Sequence, residues 1–125
     1  MDYKKEALDQ WEWMYRYMRK MEATTHPTKI HIWELKQLWA DRYPIRARKV
    51  SEYSNCFACL ATVKNMNPVN CDTCPVTWGN TDTNLVPCQA SGSVFADVED
   101  NCSSDNNCSS SKIKKVIQVM AETWK

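Results

Sequence analysis

At 125 residues, 43% hydrophobic and 25% charged, the chain has the composition of one globular domain with a modest core. Two glycines exclude a glycine-rich phosphate cradle and weigh against a turn-rich all-β fold. The net charge of +1 hides blocks of opposite sign. Residues 1–50 carry 11 Lys/Arg against 7 Asp/Glu, residues 51–111 one Lys against 7 acids, and residues 112–125 four Lys against one Glu. That asymmetry is too mild for a dedicated nucleic-acid footprint.

Residues 3–23 lack Pro and Gly and are rich in helix formers, which predicts a first helix. Leu8, Trp11, Tyr15, Met18 and Glu22 share its stripe, with Met14 and Met21 beside them. Pro27 disfavours helix at His26 and separates this helix from the next. A second helix is expected from a cap at Thr28 or slightly later, with Ile32, Leu35, Leu38, Trp39 and Tyr43 on one face, Trp33 partly off it, and Pro44 as the stop. Residues 45–55 are expected to begin a third helical segment running into the first cysteine pair. Residues 71–92 are loop-like, dense in Thr, Asn, Asp and Pro, and residues 99–111 are polar and of low complexity. A last helix, capped by Ser110 or Ser111, places Ile113, Val116, Ile117, Met120 and Trp124 on one face.

The chain therefore reads as a mainly α single domain, 1–125. Residues 1–44 form a helical hairpin, 45–92 a cysteine-rich zinc module, 93–111 a polar loop and 112–125 a C-terminal helix. No run of 18 apolar residues is present, and the N-terminus has no apolar stretch typical of a secretory signal. A cytoplasmic protein that does not cross a membrane is expected.

Four of the seven cysteines form two Cys-x-x-Cys pairs, Cys56/Cys59 and Cys71/Cys74. Each short spacing aims two thiolates at one ion, and two such turns complete the tetrahedron of a closed structural Zn²⁺ site. Cys88 is an alternative ligand in place of Cys71 or Cys74. An iron–sulfur cluster is a rival reading because of Cys74-Pro75, although the tight run of three cysteines at Cys-x-x-Cys spacing is absent. A disulfide framework would require an oxidising compartment. Cys102 and Cys108, separated by five residues, are close enough in sequence for a local disulfide in vitro, and in a cell are expected to be exposed thiols. Asn101-Cys-Ser and Asn107-Cys-Ser match the N-glycosylation pattern, but such matches arise by chance in Asn/Ser-rich sequence.

His26 and His31 have no obvious third ligand and suit helix capping or the surface. No nucleophile motif or paired carboxylate stands out, and a four-cysteine site leaves no open position for catalysis, so a non-enzymatic protein is expected. Trp11, Tyr15 and Trp39 fit core faces. Trp13, Tyr17 and Trp33 project elsewhere beside Arg16, Arg19 and Lys20; packing against the C-terminal helix or a second subunit accounts for them, and stacking bases or anchoring a protein partner is the functional alternative. Nucleic-acid binding through Arg16, Arg19, Lys20, Arg46, Arg48 and Lys49 is the alternative, and capture of a small nucleotide between helices is the second alternative.

Cys56-Phe-Ala-Cys59, Cys71-Asp-Thr-Cys74-Pro75-Val-Thr-Trp78, then Cys88 and an Ala/Ile/Val-rich last helix resemble the small cysteine-rich accessory proteins of tailed bacteriophages. The resemblance covers roughly residues 45–125 and is most specific at 71–78; the Ser/Asn loop with Cys102 and Cys108 departs from it. It implies a phage protein in the host bacterial cytoplasm that, by analogy, binds a bacterial host protein, a defence factor being the candidate.

Overall fold

The structure is a computed structural model that describes residues 2–24, 30–50, 56–57, 76, 95, 97–98 and 108–124. Every regular element among these residues is helical. Four helices follow in order: α1 (Tyr3–Glu22), α2 (Ile32–Arg42), α3 (Pro44–Arg48) and α4 (Ser110–Thr123). This bears out the mainly α expectation.

Local chemistry sets the helix ends. Asp2 is extended and accepts from the Lys5 N–H at 3.1 Å, satisfying one of the orphan donors of α1. His31 is extended too, and its Nδ1 accepts from the Trp33 N–H at 3.2 Å. The expected start at Thr28 lies outside the described residues, but the capping role foreseen for His31 is present. Pro44 acts twice. It cannot continue α2, and its fixed φ and missing N–H suit the first position of α3. The expected third segment therefore begins at Pro44 and its helix closes at Arg48; residues 51–55 lie outside the described set.

The buried face of α1 is Ala7, Gln10, Trp11, Met14 and Met18, rotated from the expected stripe so that Met14 is central and Tyr15 half-buried. α4 borders α1 along the Tyr15 flank. Lys114 Nζ stands 5.1 Å from the Tyr15 ring centre, and Glu22 meets Ser110. These contacts run in opposite directions along the two helices, so α1 and α4 are antiparallel. From α4, Ile113, Val116 and Met120 enter the core, joined by Ile32, Leu35 and Trp39 of α2 and Ala47 of α3. Each such large apolar side chain contributes about 1.5–3 kcal/mol on burial.

The start of α4 is fastened across the fold. The Glu22 carboxylate accepts from the Ser110 N–H at 2.7 Å and from the Ser110 hydroxyl at 2.9 Å, while Ser109 Oγ accepts from the Ser111 N–H at 3.2 Å. A carboxylate at this end also complements the helix dipole. Cys108, next to this cap, is 2% exposed and disulfide-bonded, its partner lying outside the described residues. The expectation of an exposed thiol there gives way to a buried anchor. Lys112 Nζ donates to Asp97 Oδ2 at 2.7 Å and ties Asp97 to the same helix. Glu22→Gln, which keeps the shape and removes the charge, is expected to cost about 1–2 kcal/mol. A urea titration checks this; an unchanged midpoint would show that the Glu22–Ser110 pair does not hold α4.

Candidate interaction face

The aromatic residues singled out in the sequence separate into two groups. Trp13 and Tyr17, one turn apart on α1, stack at 5.6 Å between ring centres with planes 20° apart. Tyr43 presents its edge to Trp13 at 6.4 Å. Tyr43 reaches α1 because the α2–α3 break gives it φ −128° and ψ 66°, taking it off the helical face that the sequence pattern assigned it. All three rings are half-buried and pack against the core.

Arginines frame Tyr43. The guanidinium carbon of Arg42 is 5.1 Å from its ring centre and that of Arg46 is 5.3 Å. Arg46 is committed inward: Nε donates to Glu6 Oε2 at 2.8 Å, and Nη2 lies 3.7 Å from Asp9 Oδ2. Ile45, two residues from Tyr43 in sequence, is 72% exposed. Tyr43, Arg42 and Ile45 were absent from the sequence-derived set. The dipeptide Tyr43-Pro44 was the available signal, since a residue before proline is driven out of the helical region.

Trp33 belongs elsewhere. Its ring is edge-on to Phe95 at 6.5 Å, and Lys36 Nζ lies 4.8 Å from its centre. The same ammonium is 5.0 Å from Phe95 and 5.8 Å from Trp11, and Lys36 is 2% exposed. Lys36 sits at i+4 from Ile32 and so falls on the core stripe of α2. Three ring faces accept its charge there, each cation–π contact contributing about 0.5–2 kcal/mol. Trp33 thus helps enclose Lys36 rather than extending the Trp13–Tyr17 face.

The cations of the expected set are partly used within the chain. Arg16 Nε lies 3.5 Å from Glu12 Oε1, and Arg19 Nη1 lies 3.9 Å from Glu22 Oε2. Lys20 and Lys49 are exposed and have no ion-pair partner among the described residues; Arg48 is exposed as well.

Of the expected metal ligands, Cys56 is described, as a half-buried thiol against the core. Cys59, Cys71, Cys74 and Cys88 lie outside the described residues, and no group of three or more metal-binding side chains occurs among the described ones. Two neighbours of the cysteine pairs are placed. Phe57, inside the first pair, is 1% exposed and edge-on to Trp39 at 5.8 Å, and Val76, two residues after Cys74, is buried in the same core. No helix among the described residues is long and apolar enough to cross a membrane. Comparisons with protein-family models, with curated proteins and with solved structures find no match.

Proposed function

We propose that this chain is a non-enzymatic interaction module, a phage accessory protein that binds a bacterial host protein in the host cytoplasm, a defence factor being the candidate. The observation that carries the reading is the gathering of Trp13, Tyr17 and Tyr43 into one half-buried cluster with the exposed Arg42 over the Tyr43 ring. Aromatic and Arg side chains on rigid helices are the usual energetic centres of protein interfaces, because they offer large contact area at small entropic cost.

The nucleic-acid alternative draws less support. Arg16, Arg19 and Arg46 face carboxylates of the chain itself, which reduces the positive field available to a phosphate backbone. A structural Zn²⁺ on Cys56, Cys59, Cys71 and Cys74, with Cys88 as the alternative ligand, remains part of the proposal. Its support is the ligand spacing and the burial of Phe57 and Val76, which anchor a neighbour of each pair in one core. The disulfide at Cys108 is a bond typical of oxidising compartments. In a reducing cytoplasm the same buried position suits a thiol, which packs as a small apolar group.

Affinity purification from host lysate at physiological salt tests the function. The chain is expected to recover a stoichiometric protein partner that the Trp13→Ala/Tyr17→Ala double variant, shown to be folded by circular dichroism, does not. Recovery of no such partner, or equal recovery by the double variant, would count against this face.

A further inference from the structure

We infer that the occupant of this face is an acidic segment of another protein, with an apolar side chain on the Trp13–Tyr17–Tyr43 rings and a neighbouring carboxylate on Arg42. The inference rests on the interface reading above and adds the chemistry of the partner. Arg42 differs from the other arginines around it. Arg46, Arg16 and Arg19 each meet a carboxylate of this chain. Arg42 is exposed, lies over the Tyr43 ring, and has no carboxylate partner among the described residues. The acid next to it in sequence, Asp41, is taken by Gln37, whose Nε2 donates to Asp41 Oδ1 at 2.9 Å.

A guanidinium resting on a ring keeps its in-plane N–H donors open and loses little entropy when a carboxylate takes two of them. Lys20, one turn beyond Tyr17 on α1, adds a second positive charge without an ion-pair partner among the described residues. Glu6 and Asp9 are matched by Arg46, so Arg42 and Lys20 are the charges beside the rings that lack an ion-pair partner among the described residues, which complements an apolar anchor flanked by Asp or Glu.

A single strand of nucleic acid fits less well. Arg16, Arg19 and Arg46 already meet carboxylates of this chain, which leaves less positive charge for a phosphate backbone. A second copy of this chain also carries acids in its sequence, 7 Asp/Glu against one Lys in residues 51–111, and is an outcome that the test separates.

Panning a random displayed-peptide library on the full chain tests the inference, with the selected peptides then resynthesised for anisotropy measurements. The expected consensus places Asp or Glu beside Leu, Ile, Phe or Trp. Arg42→Glu is expected to weaken the consensus peptide about tenfold or more, and to regain affinity for the same peptide with Lys in place of its acids. Trp13→Ala is expected to weaken both peptides. A consensus without acids, or affinity indifferent to Arg42→Glu, overturns the acidic occupant while Trp13→Ala sensitivity keeps the interface. Indifference to both variants overturns the two readings together. Displacement of the peptide by oligo-dT would transfer the face to nucleic acid, and a concentration-dependent dimer abolished by Arg42→Glu would transfer it to a second copy; either result overturns the proposal.

Discussion

Replacing Trp39 by Ala is expected to lower the unfolding free energy by about 3–5 kcal/mol, the range for removing a fully buried large aromatic. Trp39 is 0% exposed and sits where three parts of the chain meet. Its ring is edge-on to Phe57 at 5.8 Å, tilted against Tyr43 at 6.3 Å, and 5.9 Å from the Arg46 guanidinium carbon. One side chain thus joins α2 to α3 and to the first cysteine pair. Its Nε1 is buried and has no hydrogen-bond partner among the described residues. Trp39→Phe relieves that unsatisfied donor while retaining most of the packing, and is expected to cost far less than Trp39→Ala. Guanidinium unfolding followed by circular dichroism separates the two. Equal losses would show that the indole has a polar role that the packing does not reveal. Since whole domains are stable by only about 5–15 kcal/mol, Trp39→Ala is also expected to loosen Phe57 and weaken any metal held beside it.

Native mass spectrometry of unchelated protein is expected to show one Zn²⁺ per chain, and chelation is expected to unfold the chain cooperatively. A four-thiolate site contributes on the order of 10 kcal/mol, because the ion binds the folded arrangement and not the unfolded one. The core supplies the reason to expect convergence. Phe57 and Val76 stand beside different cysteine pairs and are buried in one cluster. Cys59→Ser should reproduce the effect of chelation. A metal-free protein whose mass deficit matches disulfides throughout would sink the zinc proposal and move the chain to an oxidising compartment, where Asn101-Cys-Ser and Asn107-Cys-Ser would regain meaning. A deficit matching a single bridge, alongside bound zinc, would agree with the disulfide at Cys108 and a thiolate site elsewhere.

Helix identity was legible because it is local. Periodicity placed Trp11, Met18, Ile32, Leu35, Trp39, Ile113, Val116 and Met120 inside, and all are buried. Helix ends were legible to within a residue or two where a capping side chain or a proline stood at the boundary, as at Ser109–Ser110 and Pro44. The candidate face was half legible. Trp13, Tyr17 and Lys20 were visible as residues off the core stripe of α1, but Trp33 was grouped with them, although Phe95 and Lys36 hold it in a different cluster.

By itself, the order of residues determined where the helices of the described residues lie and which apolar stripes they carry. Tertiary structure decided which flanks meet. It centred the buried α1 stripe on Met14, sank Lys36 among three rings, and gave Glu22 to the start of a helix 88 residues away. It also brought Tyr43 beside Trp13 while setting Arg46 on Glu6 and leaving Arg42 outward. The physical reason is range. Propensity, capping and periodicity act over a few residues and can be read along the chain, whereas a charge finds its counter-charge or its ring only after distant segments have packed.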